Sequence, residues 1–496
     1  MSRLESILRN AIFSVIARGI DVGVTFILAV VLARYLGPEG MGEYAYIIAF
    51  VAVFVPLIDL GLDHILIREI AHNKESAKTY VGAALLLKII ILFVLFPLGM
   101  LSAWLFADAS IGLLAIFLCF LGTLVLREIP TVVGYAVFLA YEKMEYRAVV
   151  TLLFQIVKFS ATMVVVFTGG GLIEIFAAAL LGELVQGLVT IIVVYKRFTL
   201  PRLVFDLKLW KYYVLESLPL GIAFAFNSLY FQIDILFLKH FRTAEETGIF
   251  GVPFRVVTTL FTLLIPMIWV LLPHLSRAAK ESIEQLTEHG KGYLKGIAVI
   301  TLGMSLYLVI ESEDLVLSLF GEEYRYSAVI LAMIAPIITL HAFTYFFDLT
   351  LTAAGRQKLI IYGSGTVFLV KLIMDMIFIP RYGTTGAAWG TIVADVASFV
   401  VMFTLTRKYV TSFNLGKIMI RPLLAAGAGG VSLWLLRGLP FYISGLLFSV
   451  AYIFFIWIFR VVSPGQQQVL VEMTRGLKKK FGLSKEVSED SNDSVS

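Results

Sequence analysis

LGPEGMG, residues Leu36–Gly42, is a short turn between two apolar runs, Ala11–Tyr35 and Tyr44–Leu60. Each run holds about the 20 residues that an α-helix needs to cross the ~30 Å hydrocarbon core of a bilayer. The first run is too long for the apolar core of a signal peptide and leads directly into the second. The stretch therefore predicts two consecutive transmembrane helices.

The same pattern continues through the chain, which is 59% hydrophobic and only 15% charged. A soluble protein of this size could not cover its surface with so few polar groups. We therefore expect an all-α integral membrane protein with about 14 transmembrane helices. The further apolar runs are 81–106, 111–140 (with a kink expected at Pro130), 148–167, 173–195, 213–238, 249–273, 292–310, 326–350, 359–379, 386–406, 418–436 and 441–460.

An internal repeat relates two sets of six predicted helices. Six helices are an even number, so both sets have the same orientation, and parallel repeats of this kind place a substrate site at their interface. The repeat predicts two pseudo-symmetric six-helix lobes. Shifts of 206, 213 and 212 residues carry Asp21 to Asn227 and Gly42 to Gly248, then Lys158 to Lys371, and finally Glu183 to Asp395.

The chain is thereby divided into five predicted parts. They are an N-terminal lobe of helices 1–6 (residues 1–195), a basic cytoplasmic linker (196–212), a C-terminal lobe of helices 7–12 (213–410), two appended helices (411–462) and a cytoplasmic tail (463–496).

The distribution of Lys and Arg predicts the orientation in the cell membrane. With a cytoplasmic N-terminus, 28 of the 40 basic residues fall on the cytoplasmic side, six in outer loops and six within helices. Short cytoplasmic loops of membrane proteins are enriched in Lys and Arg. Both termini are therefore expected to be cytoplasmic.

Several charges lie inside the predicted helices, where insertion scales assign roughly 2.5–3.5 kcal/mol to a charge at the bilayer centre. Such residues usually face the interior of a helix bundle or a water-filled cavity. Arg18 and Asp21 share a face of the first helix, and Arg255 lies on the eighth. The alternatives are a simple Arg18–Asp21 pair and an Arg255 side chain that extends to the outer membrane surface.

Lys158 and Glu183 lie near the middle of consecutive helices, as do Lys371 and Asp395 in the other half, and Asp375 is one turn from Lys371. One interpretation is a buried ion pair within each lobe that fixes helix register. The other is that one of these carboxylates binds a coupling proton or sodium ion.

Other charged residues and two glycines within the predicted helices indicate structural roles. Lys88 is expected to extend to a membrane surface, and Arg127 and Glu128 are expected to form a local pair. Gly19 and Gly23 are expected to let another helix approach closely.

Three stretches carry a family resemblance: Leu32–Tyr44, Asp59–Leu62 with Ile67–Ile70, and Pro380–Trp389. With these motifs the chain resembles the polysaccharide transporter family, lipid-linked oligosaccharide flippases of the multidrug/oligosaccharidyl-lipid/polysaccharide exporter superfamily, which includes the MATE-like transporters. The resemblance implies two lobes arranged as a V around a central cavity. It also implies alternating access and a polyprenyl-phosphate-linked glycan that moves from the cytoplasmic to the outer leaflet.

In related flippases for peptidoglycan precursors, arginines of the first and eighth helices line the cavity, and Arg18 and Arg255 match them. Arginine donates bidentate hydrogen bonds to phosphate oxygens. Arg18, Arg255, Asp21 and Asn227 are therefore the predicted substrate-binding residues. Asp21 and Asn227 either face each other across the cavity or take a partner within their own lobe.

The expected partners are membrane lipid, the lipid-linked glycan and glycan-assembly enzymes, with no nucleic acid, no metal and no cofactor. Coupling to protons or sodium ions stays open. The nearest alternative is a drug/cation antiporter of the multidrug and toxin extrusion type, which would favour acidic over cationic cavity residues. A glycosyltransferase or sugar polymerase is not expected, because the chain has no Asp-x-Asp motif and no large loop.

Overall fold

The computed structural model describes residues 3–106, 112–198, 201–436 and 438–461. All regular elements in this part of the chain are helices, which confirms the predicted all-α membrane fold. The predicted tail, 463–496, lies outside the described residues.

The helices follow the apolar runs, with a π-helical segment at Leu121–Arg127. They are α1 (Arg3–Ala52), α2 (Val55–Asp59), α3 (Leu62–His72), α4 (Ala77–Phe106), α5 (Leu113–Phe120), α6 (Glu128–Ala140), α7 (Met144–Thr168), α8 (Leu172–Arg197), α9 (Leu207–Phe241), α10 (Ala244–Trp269), α11 (Leu272–Glu281), α12 (Ile283–Ile310), α13 (Ser312–Phe320), α14 (Arg325–Ile334), α15 (Ile337–Ala353), α16 (Ile360–Tyr409), α17 (Leu415–Leu435) and α18 (Phe441–Ile458).

Helices α1 and α16 each contain 50 residues and are broken at a glycine with positive φ. Gly37 has φ 67° and Gly383 has φ 57°, a region that residues with a Cβ rarely adopt. Both glycines lie in the turns predicted between consecutive membrane helices. At ~1.5 Å per residue an unbroken helix of this length would span ~75 Å, more than twice the hydrocarbon core.

The described residues contain 11 helices that are long and apolar enough to cross a membrane, or 12 if α14 and α15, bent by 42°, form one span. A total of 14 is reached only when each broken helix, α1 and α16, counts as two crossings. The number 14 therefore stays a prediction.

The π-helical segment lies just before the predicted kink in the fourth membrane helix. Pro130 has no N–H and its ring clashes with the carbonyl of residue 126, which belongs to this segment. The distortion therefore begins on the N-terminal side of the proline, and Arg127 is its last residue.

The two halves of the chain meet closely at Gly42 on α1 and Gly248 on α10. A Cβ on Gly42 would lie 1.8 Å from the carbonyl oxygen of Ala244, and a Cβ on Gly248 would lie 1.9 Å from that of Pro38. The 206-residue shift carries Gly42 to Gly248 and Pro38 to Ala244, so the two contacts are equivalents. We call this side of the molecule the glycine end.

Arg34 adds a second contact between the halves at the glycine end. Its Nε donates to the carbonyl oxygen of Leu319 at 2.6 Å, in the last turn of α13. A cation is favourable there because the final carbonyls of a helix are unpaired and carry partial negative charge.

At the opposite end, the first turns of α9 pack against the N-terminal half. The indole Nε1 of Trp210 donates to the carbonyl oxygen of Ala83 at 2.9 Å, and Arg68 donates to the hydroxyl of Tyr212 at 2.7 Å. The expectation that Gly19 and Gly23 admit a neighbouring helix is wrong, because a Cβ at either would have no atom within 4 Å.

Gly42→Ala is predicted to weaken the closure of the glycine end. The new Cβ would overlap the backbone of Ala244, and overpacking of this kind costs about 1–3 kcal/mol, or roughly a tenfold to hundredfold shift between closed and open states. The measurement is the rate at which a cysteine at Ala45, which lines a space between α1, α9 and α10, reacts with an impermeant maleimide added on the side that the glycine end faces. The variants carry Cys119→Ala so that only this thiol is labelled.

Gly19→Ala is the matched control, since a Cβ there would meet no atom within 4 Å. Equal labelling rates for the Gly42→Ala and Gly19→Ala proteins would show that the glycine contact does not hold this end closed.

Candidate functional site

A cavity of about 550 Å³ lies between the two halves. Helix α1 lines it from the N-terminal half, and α9 and α10 line it from the C-terminal half. All four residues predicted to bind substrate lie on its wall: Arg18, Asp21, Asn227 and Arg255. We call this space the central cavity.

Arg18 and Asp21 form a pair that faces the central cavity. Nη1 of Arg18 lies 3.2 Å from Oδ2 of Asp21, and the Arg18 side chain is 50% exposed. Oδ1 of Asp21 accepts a hydrogen bond of 2.7 Å from Nε2 of Gln155 on α7, so Asp21 takes its partner from its own half. Because a guanidinium has five N–H donors, Arg18 keeps free donors for a ligand.

The guanidinium of Arg255 has no hydrogen bond and no ion pair to any described residue, and Arg255 lines the central cavity from α10. A guanidinium within a membrane bundle is costly unless a counter-charge approaches it. Of the four predicted substrate-binding residues, Arg255 would therefore be stabilised most by a bound anion.

A second space of about 200 Å³ is lined mainly by the N-terminal half, with Arg255 among its lining residues. We call it the side chamber. Its charged lining residues are Arg127, Lys158, Glu183 and Arg255. It shares Thr25, Tyr44, Ile48 and Arg255 with the central cavity, so the two spaces adjoin.

The ion pair expected between Lys158 and Glu183 is not formed, since no nitrogen–oxygen distance between them is within 4.0 Å. Nζ of Lys158 instead lies 5.4 Å from the ring centre of Phe154. Glu183 is buried, and its Oε2 has no hydrogen-bond partner. Both side chains border the open volume of the side chamber instead of each other.

In the C-terminal half the equivalent lysine, Lys371, is paired with carboxylates. Nζ of Lys371 lies 2.7 Å from Oδ1 of Asp234 and donates to Oγ1 of Thr391 at 2.6 Å. Oδ2 of Asp375 is 3.9 Å from the same nitrogen. Lys371, Asp234 and Asp375 are completely buried. The expectation that Lys371 pairs with Asp395 is therefore wrong.

Asp395 has two other partners, which the sequence analysis missed. Its Oδ2 accepts from the hydroxyl of Tyr230 at 2.6 Å, and its Oδ1 lies 2.9 Å from Nδ1 of His341. Asp234 could have been found as a charged residue within the seventh apolar run. Tyr230 and His341 carry no such signal. We call the group of Lys371, Asp234, Asp375, Thr391, Asp395, Tyr230 and His341 the C-half cluster.

Lys88 does not extend to a membrane surface, so that expectation is also wrong. Its side chain is 1% exposed, and Nζ lies 2.7 Å from Asp59, 3.2 Å from Asp63 and 3.8 Å from Glu128. Arg127 and Glu128 form the expected local contact at 3.6 Å. Lys88 is thus part of a second internally paired group.

With the cavity and its charges described, the chain can be compared with known proteins. The sequence profile described as "Polysaccharide biosynthesis protein" matches residues 7–279, more than half of the chain. This chain belongs to that family. The match begins at residue 7, in α1, and extends through α10 into α11.

Two relatives match the chain at low sequence identity. The chain is 24% identical over 243 residues to the teichuronic acid biosynthesis protein TuaB of Bacillus subtilis, a match that spans half of each protein's length (48% and 50%). It is 22% identical over 414 residues to the probable low-salt glycan biosynthesis flippase Agl15 of Haloferax volcanii, which covers 82% of this chain and 84% of the relative.

Solved structures show the same fold. The lipid II flippase MurJ in an inward closed conformation aligns with TM-score 0.72 and 14% identity, over 91% of this chain and 98% of MurJ. An inward-facing multidrug resistance MATE family transporter aligns with TM-score 0.61 and 16% identity, over 81% and 94%. At 14% and 16% identity, this likeness establishes the fold of the present chain. The substrate has to be argued from the residues of the site.

Lys371→Met is predicted to destabilise the protein strongly, because it leaves Asp234 and Asp375 buried without their counter-charge. Removing one partner of a buried pair costs about 3–5 kcal/mol. The measurement is the midpoint of thermal unfolding of the detergent-solubilised protein, followed by size-exclusion chromatography.

Lys158→Met is the matched comparison, since it removes the equivalent lysine from a place where no carboxylate contacts it. It should melt close to the native protein. Adding Asp234→Asn to Lys371→Met should restore part of the lost stability. If both lysine variants melt at the same temperature, the C-half cluster is not the structural element that its contacts indicate.

Proposed function

We propose that this protein translocates a lipid-linked glycan across the membrane by alternating access of its two halves. The observation that carries the proposal is the central cavity between the halves, with Arg18 and Arg255 on its wall. The family description, the glycan-related names of both curated relatives and the fold shared with a lipid II flippase support the same function.

The physical need for such a cavity follows from the cargo. A phosphate and the hydroxyl groups of a sugar would lose their hydration in hydrocarbon, at a cost of several kcal/mol for each uncompensated polar group. Arg18 and Arg255 supply charge-assisted hydrogen bonds to an anionic head group, while Asp21 and Asn227 accept or donate hydrogen bonds to its hydroxyls. The lipid tail remains in the bilayer.

The proposal includes an orientation. By the distribution of Lys and Arg, both termini are cytoplasmic and the glycine end faces outward. The carrier is a polyprenyl phosphate, and the glycan moves from the cytoplasmic to the outer leaflet, where other enzymes of glycan assembly use it. The closure at Gly42 and Gly248 then seals the outer side.

A drug/cation antiporter is the alternative on the same fold, since a MATE family transporter aligns over most of the chain. A cationic drug would meet Arg255, which no described carboxylate neutralises, and Arg18, whose pairing with Asp21 is only partial. The charge of the central cavity therefore favours an anionic cargo.

The test is a flipping assay in liposomes that contain the purified protein and a fluorescent polyprenyl-phosphate glycan. The native protein should expose the label to an external quencher faster than empty liposomes do. Arg18→Ala combined with Arg255→Ala should slow the rate by roughly a hundredfold or more, because each charge-assisted hydrogen bond contributes about 1.5–3 kcal/mol and two are lost.

Arg356→Ala is the matched control, because Arg356 is exposed and outside the cavity. A neutral glycolipid with the same sugar should be flipped poorly. A double variant that folds and flips at the native rate would remove Arg18 and Arg255 from the site. Native protein that moves a cationic dye and leaves the glycan lipid in place would favour the antiporter.

A further inference from the structure

The two halves place a lysine at equivalent positions but surround it differently. Lys371 in the C-half cluster contacts Asp234, Asp375 and Thr391. A cavity of about 20 Å³ adjoins that cluster, whereas the side chamber beside Lys158 measures about 200 Å³.

The internal repeat identifies what is missing around Lys158. The shifts of 206, 213 and 212 residues carry the three partners of Lys371 back to positions in the N-terminal half that bear no charge: Asp234 to Leu28, Asp375 to Thr162 and Thr391 to Ala179. Leu28 and Ala179 line the side chamber. The N-terminal half therefore has the lysine without equivalents of the carboxylates that neutralise Lys371.

The charges around the side chamber do not balance. Three cationic side chains line it, Lys158, Arg127 and Arg255, against one carboxylate, Glu183. Arg127 is also in contact with Glu128. A net positive charge inside a membrane bundle is unfavourable until an anion compensates it. The side chamber is thus prepared for a negative group that the described residues do not supply.

We propose that the side chamber is a binding subsite for an anionic group of the transported head group, with Lys158 and Arg255 as its principal counter-charges. The inference rests on the proposed function for the identity of the ligand. Thr25, Tyr44 and Ile48 border both spaces, so the ligand enters from the central cavity. The group is a phosphate of the carrier or the carboxylate of an acidic sugar.

Glu183 adds a requirement that a bare anion does not meet. Its buried Oε2 has no hydrogen-bond partner and needs a donor. A sugar acid or a sugar phosphate carries hydroxyl donors next to its anionic oxygens and would satisfy both Lys158 and Glu183.

Cys119 provides a reporter for this subsite, because it lines the side chamber and is the one cysteine of the chain. The probes are two small methanethiosulfonates that differ in charge, a sulfonatoethyl and a trimethylammonioethyl reagent. In the native protein the anionic reagent should modify Cys119 about tenfold faster than the cationic one, since a cationic pocket concentrates anions. Lys158→Met should remove most of this preference, and Lys158→Arg should retain it.

The sharpest variant is Leu28→Asp, which restores to the N-terminal half the carboxylate that neutralises Lys371 in the other half. It should abolish the preference for the anionic reagent in the native background, because the new carboxylate pairs with Lys158. Leu28→Asn, similar in size and uncharged, is the matched control and should retain the preference. Thermal unfolding of each variant shows whether it is folded.

Competition then identifies the source of the anion. Inorganic pyrophosphate that slows Cys119 modification indicates the carrier's phosphates, and glucuronate that slows it more indicates an acidic sugar; either result supports the subsite. If neither anion protects Cys119, and Lys158→Met and Leu28→Asp leave the reagent preference unchanged, the subsite is overturned. The flipping assay separates this failure from that of the proposed function, because native flipping without a charged chamber leaves the function standing.

Discussion

The structure depends on one electrostatic constraint: a charge inside a membrane-spanning bundle must meet an opposite charge, because hydrocarbon supplies none. The C-half cluster meets this constraint internally around Lys371, and Asp59, Asp63 and Glu128 meet it around Lys88. In both groups the lysine has carboxylate partners from the protein itself. In the central cavity and the side chamber, Arg255 and Lys158 have no carboxylate of a described residue within 4.0 Å, and these are the spaces that we propose receive the cargo.

The internal repeat is preserved where the backbone needs it and is broken where the chemistry differs. Gly42 and Gly248 are equivalents, and each accommodates a carbonyl oxygen that a Cβ would displace. Both halves need a glycine there, because their backbones approach each other closely at the glycine end. Leu28 and Asp234 are also equivalents, yet only one of them is charged. The C-terminal half thus pairs its buried lysine with carboxylates, while the N-terminal half holds an open polar chamber beside its own lysine.

Hydropathy and the positions of turns predicted much of this architecture, including the breaks that occur at Gly37 and Gly383. The presence of Arg18 and Arg255 within apolar runs likewise predicted their place on a cavity wall. The partners of Lys88 could not be predicted, because the position of a residue along an apolar run does not reveal where the helix breaks. Leu60 has φ 47°, and the break there brings Asp59 and Asp63, on separate helices, to the same lysine. The partner of Lys371 was missed for a related reason, since the rotation of α9 about its axis decides which side Asp234 faces.

Arg255 has a special position because it belongs to the C-terminal half while most of the side chamber belongs to the N-terminal half. Any movement of one half against the other changes the distance between Arg255 and Lys158. A ligand shifts a conformational equilibrium only by the difference in its interaction with the two states. An anion held by both Arg255 and Lys158 interacts differently with the two states, because both contacts are made only while the halves keep this arrangement. The same uncompensated charge that attracts the cargo therefore also links its arrival to the relative position of the halves, and a cargo without a negative group would lack this link.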